Sequence, residues 1–231
     1  MKYVATATIL LGAAVFLSAQ VQHTRAEVVD HFCHAQEVMS GPEMERVAAV
    51  HDHLGPVLAK VPDHRTHIAV VDSPEVNAYT HWMSVKESFI CIPTGIIRFM
   101  GDGEGELAFV IAHELGHALD DACKTNQGRA SMAQPTMLGA LNRLLGGSGR
   151  DPLAEQRSCE ARADAIGLRI IIEGGYSPYD AAGSFGRLEM LSGDTSTGIQ
   201  ARLRQMVSDH PMTPERIHNM KQLLASWAPD R

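Results

Sequence analysis

The sequence predicts an α+β fold, mostly helical, with a small antiparallel sheet beside a central helix. Three observations predict it. Apolar residues recur at helical spacing over several long stretches. Three short strand candidates, the first of them β-branched, fall between residues 67 and 92. In the second half, Asp-Pro, Ser-Pro and Thr-Pro pairs mark helix starts. The 231 residues contain 45% hydrophobic and 20% charged side chains, enough for one domain with a real core. The net charge of −7 has no basic stripe within it, which argues against a nucleic-acid partner.

Lys2 precedes an apolar run from Val4 to Leu17, interrupted only by Thr6, Thr8 and Gly12. The run is shorter than the roughly 20 apolar residues of a membrane span and fits a secretory signal peptide. Small residues offer cleavage after Ala19 or after Ala26. The later site is preferred, giving residues 1–26 as leader and 27–231 as the mature domain. An uncleaved anchor is the other reading. Export makes disulfides reasonable for Cys33, Cys91, Cys123 and Cys159. Four cysteines allow three pairings, and buried thiols are the alternative. The lean is to Cys123 with Cys159, since both lie near residues expected to converge.

The first helix is expected over Ser40 to Lys60, capped by Ser40 with Glu43 and stopped by Pro62. Strands follow at His67 to Val71, Asn77 to Trp82 and Ser88 to Ile92, with a turn at Lys86-Glu87. A helix should begin near Asp102 or Gly103 and run to about Ala122, burying Leu107, Val110, Ile111 and Leu115. Lys124 to Arg150 reads as a lid or surface insertion around a short helix (Met137 to Leu145), or simply as a loop. Pro152 to Glu173 is a helix closed by Gly174-Gly175. Ser177-Pro178 and Thr213-Pro214 open two more, the last reaching about Trp227.

The chemistry centres on His113-Glu114-Leu115-Gly116-His117. Two histidines four apart on a helix share a face, so their imidazoles can hold one Zn²⁺ at about 2.0–2.1 Å. Glu114 then flanks the metal as a general base, and Gly116 leaves the approach uncrowded. The metzincin spacing for a third ligand fails, because Asp120 and Cys123 stand where that pattern needs Gly and His. Glu160 and Asp164, four apart on a second helix, offer the alternative. Glu160 completes a His₂Glu site with one position left for water, and Asp164 accepts from the far nitrogen of a ligand histidine. Read alone, that pair is a solvated acidic face. His31 and His34 are expected in a solvated N-terminal segment, and the other histidines on the surface or in strands.

Three segments carry a resemblance. Phe109-Val110-Ile111-Ala112-His113-Glu114-Leu115-Gly116-His117 is similar to the zinc helix of the HtpX, BepA and CAAX-prenyl-protease group of zinc endopeptidases. Cys159-Glu160-Ala161-Arg162-Ala163-Asp164 resembles that group's second motif. Asp209-His210-Pro211-Met212-Thr213-Pro214-Glu215-Arg216-Ile217 resembles its His-Pro-x-Thr-x-x-Arg-Ile box. The resemblance runs roughly from Val47 to Leu224.

It implies a zincin-like gluzincin fold and one Zn²⁺ per chain on His113, His117 and Glu160, with Glu114 as base. It also puts His210 and Arg216 near the metal: His210 on the oxyanion or closing over the zinc, and Arg216 as a further oxyanion donor. The absence of long apolar spans points to the soluble periplasmic branch. The implied activity is endopeptidase cleavage, in envelope protein quality control, of a protein substrate bound as an extended strand. Loose membrane association and the oligomeric state stay open. The substrate is expected to pair with an edge strand near Asn77 to Thr80 or Phe89 to Ile92; the stretch from Thr80 to Glu87 departs from the group's Gly-rich turn, which leaves the shape of that edge open. A zinc-containing chaperone-like or autoinhibited module, and a helical structural protein with a chance motif, are the competing readings.

Overall fold

A computed structural model describes residues 24–61, 64–123, 152–193, 210 and 213–227. The expected leader up to residue 23, the Gly-rich stretch 124–150 and Pro62 lie outside the described residues. In chain order the elements are α1 (Arg25–Cys33), α2 (Pro42–Leu58), β1 (Arg65–Val71), β2 (Tyr79–Ser84) and β3 (Glu87–Pro93). They continue with α3 (Thr94–Phe99), α4 (Glu104–Leu119), α5 (Pro152–Glu173), α6 (Pro178–Gly193) and α7 (Pro214–Trp227).

The sheet is mixed, in the order β1-β3-β2. β2 and β3 form the expected antiparallel hairpin, but β1 runs parallel to β3, Arg65 opposite Glu87 through Val71 opposite Pro93. This corrects the expectation of an all-antiparallel sheet. β1 and β2 run in opposite directions on the two edges, so residues 72–78 need only cross the top of the sheet. β3 then returns up the gap between them, and no long crossover is required. β3 takes the centre because it is the most apolar strand: every residue from Ser88 to Pro93 is buried, whereas β2 ends exposed.

Strand alternation gives the sheet two buried faces. Val70, Ile90 and Ile92 join Leu107, Ile111 and Leu115 of α4 in the main core. Ala69, Val71, Phe89 and Cys91 face Val29 and Cys33 of α1. The N-terminal segment is thus a helix laid on the sheet, although His31 and His34 are themselves exposed. Thr24 caps it in a capping box with Glu27, and the Cys33–Cys91 disulfide ties it to the central strand. The second disulfide is Cys123–Cys159. The expected Ala26 cleavage site falls within the first turn of α1.

The three expected Pro signals hold: Pro152, Pro178 and Pro214 each open a helix. One expectation at a helix start differs. The cap of α2 is Gly41 at φ 111°, not Ser40, and Glu43 pairs with Arg98 at 2.7 Å. α4 starts after Gly103, one of the two residues expected there, with no side-chain cap. α4 is also buried on nearly every side from Leu107 to Ala118 rather than along one stripe. It lies between the sheet, α5 and α6. Such all-round burial needs small residues wherever a neighbour comes close, and Ala108, Ala112, Gly116 and Ala118 provide them.

Candidate metal centre

α4 and α5 cross in backbone contact at two glycines. A Cβ on Gly116 would lie 2.6 Å from the Ala163 carbonyl oxygen, and one on Gly167 would lie 2.9 Å from the His113 nitrogen. Gly116 therefore serves the approach of the second helix, not that of a ligand. The crossing brings α5's acids onto α4's imidazoles. His113 Nε2 and His117 Nε2 are 3.1 Å apart. Glu160 puts Oε2 3.4 Å from the first and Oε1 3.3 Å from the second. His210 adds Nδ1, 3.4 Å from His113 Nε2 and 3.2 Å from Glu160 Oε2. These four residues form the candidate metal cluster among the described residues.

Behind the donors lies a brace. Asp164 Oδ1 faces His113 Nδ1 at 2.9 Å. Arg216 donates from Nε to Asp164 Oδ2 at 2.8 Å and from Nη2 to Oδ1 at 2.6 Å. Its Nη1 reaches Glu160 Oε2 at 2.9 Å. Arg216 arrives at the start of α7, where Thr213 Oγ1 accepts from its backbone N–H as an N-cap. The expectation placed Arg216 as an oxyanion donor. The structure instead turns its guanidinium onto the two acids, a planar fork matched to carboxylates.

The electrostatics suit a cation. Glu114, Glu160 and Asp164 are all at most 3% exposed, against one buried arginine among the described residues, Arg216. With neutral imidazoles the buried group carries a net charge of about −2, which a divalent ion balances. Burial opposes ionisation of Glu160, but His210, His113 and His117 outweigh it and hold the carboxyl well below its usual range. Asp164 is likewise lowered, burial being outweighed by Arg216 and His113. Burial disfavours charge on His113, yet Asp164 and Glu160 raise it to about 10, showing the negative field the cation would meet. His117 is lowered, chiefly by burial.

Donor spacing gives a second test of fit. Tetrahedral zinc bonds of about 2.0–2.1 Å put ligand atoms roughly 3.3–3.4 Å apart. The observed separations of 3.1 to 3.4 Å match that edge length. Imidazole nitrogens with one carboxylate are also the donor set zinc takes. The residues present fit the ion.

Glu114 stands beside the cluster, 2% exposed, with Oε1 3.5 Å from His210 Nε2. Its other oxygen accepts from Thr80 Oγ1 on β2 at 2.8 Å. His210 Nε2 also lies 3.2 Å from the Ala78 carbonyl, next to the sheet edge. A cavity of about 50 Å³ opens alongside, with Phe109, Val110, Phe185 and Leu188 facing Glu114 and His210.

All seven residues singled out from the sequence thus lie together: His113, Glu114, His117, Glu160, Asp164, His210 and Arg216. The sequence placed a substrate edge near Asn77 to Thr80 but gave no role to the Thr80 hydroxyl or the Ala78 carbonyl, and it missed the apolar cavity. Phe89 to Ile92, the other expected edge, lies instead in the central strand.

A helix pair presenting two histidines and a glutamate, with a second glutamate alongside, defines a zincin-type metallopeptidase site. Residues 41–224 match the model for peptidase family M48, and the chain belongs to that family. No curated protein matches the chain. Membership makes the protein a hydrolase of metalloprotease type.

Proposed function

We propose that the protein is a zinc-dependent endopeptidase cleaving protein substrates in the cell envelope. Glu160 carries the proposal: a carboxylate from a separate helix meets the two imidazoles of the His-Glu-x-x-His segment with both of its oxygens. His113, His117 and Glu160 hold the ion. When bound there, zinc polarises the scissile carbonyl and makes water a stronger acid. Glu114 takes the proton of the attacking water and passes it to the leaving amine. Arg216 and Asp164 keep Glu160 and His113 in place. The substrate lies extended along the outer edge of β2, which among the described residues pairs only with β3. His210 swings from its present contacts to face the developing oxyanion. An exported location, periplasmic or secreted, is supported by the apolar N-terminal run and two disulfides. No helix among the described residues is long and apolar enough to cross a membrane. Envelope protein quality control and the soluble periplasmic branch of the family belong to this proposal.

The deciding experiment compares wild type with Glu114→Gln on casein as an unfolded substrate, with zinc measured in both. Full zinc with loss of cleavage in the variant is expected. Equal cleavage by both proteins sinks the assignment of the base.

One observation favours a second reading, an autoinhibited or binding module. His210 Nδ1 sits within the donor cluster while Nε2 faces the Ala78 carbonyl, so one residue covers both the fourth ligand position and the substrate edge. Under that reading His210→Ala raises cleavage of casein. Under the oxyanion reading it lowers it.

A further inference from the structure

Glu114 has two carboxylate oxygens with different surroundings. Oε1 points to the cluster side, 3.5 Å from His210 Nε2. Oε2 points to the sheet, where Thr80 Oγ1 donates to it at 2.8 Å. The same hydroxyl lies 2.9 Å from the Glu114 backbone carbonyl. A hydroxyl has one hydrogen, so it serves one of these acceptors at a time, but both belong to Glu114. Among the described residues, the hydrogen bond to Oε2 comes from Thr80.

Thr80 is itself firmly placed. Its backbone pairs with Ile90 of the central strand. Its branched Cβ restricts χ1, so the hydroxyl direction is set by the sheet. Glutamate has three side-chain torsions, and a helix surface alone fixes none of them fully. A general base must keep one oxygen within hydrogen-bond reach of the proton it takes, about 2.6–3.2 Å.

We propose that Thr80 is a positioning residue for the hydrolysis: it anchors Glu114 Oε2 so that Oε1 alone faces the reacting centre. Because Thr80 lies on the strand that a substrate would pair with, it also ties the register of the bound peptide to the base. This rests on Glu114 being the general base of a peptidase.

The test uses full-length, zinc-loaded protein with Thr80→Val, which removes the hydroxyl and keeps the branch, and Thr80→Ser, which keeps the hydroxyl. On a quenched fluorescent peptide chosen from casein cleavage sites, Thr80→Val lowers kcat about tenfold or more. KM stays within about twofold, and Thr80→Ser recovers most of the loss. Zinc content and thermal midpoint match wild type in both.

Crystal structures of the zinc-loaded wild type and Thr80→Val supply a readout independent of activity. The Glu114 carboxylate leaves its single position in the variant. An unmoved carboxylate overturns the proposal, as does wild-type kcat in Thr80→Val. Loss of zinc or of folding in Thr80→Val also overturns it, since the hydroxyl would then be structural. If the wild type cleaves nothing, the peptidase reading fails, and the crystallographic comparison still decides whether Thr80 holds Glu114.

Discussion

Replacing Gly116 by alanine tests how the two ligand-bearing helices are held. The new Cβ would lie 2.6 Å from the Ala163 carbonyl oxygen and 2.9 Å from Ala163 Cα, about 0.8 Å short of ordinary contact at 3.4 Å. The obstacle is backbone, so no side chain can swing aside. Overpacking of this kind costs about 1–3 kcal/mol. Alanine's higher helix propensity returns about 0.8–1.0 kcal/mol. The metal-free protein can relax by letting α5 move outward, so its thermal midpoint falls only modestly. The loaded protein has less freedom. Glu160 is one turn from Ala163, and ligand distances tolerate about 0.2 Å. If the whole strain falls on the loaded state, zinc affinity drops about 5- to 150-fold. Competition titration against a chromophoric chelator measures it directly. Gly186→Ala on α6 is the control, since nothing lies within 4 Å of its Cβ and only the propensity gain should appear. Wild-type zinc affinity in Gly116→Ala, with Gly186→Ala behaving as stated, would refute the view that backbone contact sets the site.

Arg216→Met leaves Asp164 and Glu160 buried without their guanidinium partner, and breaking a buried pair costs about 3–5 kcal/mol. Urea unfolding of the metal-free variant should show it, and a loss below about 1 kcal/mol would mean that the brace contributes little. Replacing Cys123 and Cys159 together by serine opens a loop of sequence separation 36, which the chain-entropy relation values at about 4 kcal/mol. Because Cys159 adjoins Glu160, zinc affinity should fall as well, and chelator competition that matches wild type counts against that coupling. A chain starting at Glu27 lacks the Thr24 cap and the Arg25 contacts to Glu37 and the Ile68 carbonyl. It should be about 1 kcal/mol less stable than a chain starting at Gln20. Calorimetry on the two gives the difference, and equal midpoints would show that the first turn of α1 contributes nothing.

Local rules carried much of the site. His113 and His117 share a face because of the helical period, and Pro152, Pro178 and Pro214 start helices because proline is suited to the first turn. The end of α5 at Glu173, before Gly174-Gly175, is equally local, with Gly175 at φ 89° in the left-handed region. Short elements escaped. α3, Thr94–Phe99, is too brief to show a period, and it forms where β3 delivers buried Ile96 and Ile97 to the core. α1 gives no local sign of its burial, because its anchor, Cys91, lies 58 residues away.

Which helix holds paired imidazoles, where the later helices begin and which acids share a face are all legible locally, because each depends on neighbours within a turn or two. The order of the strands depended on which run was buried on both sides, and the parallel pairing of β1 followed from that. The orientation of Arg216 and the grip of Thr80 on Glu114 depended on partners 52 and 34 residues away in the chain. No local pattern encodes such pairings: the first exists only once α7 has docked on α5, and the second only once β2 lies against α4.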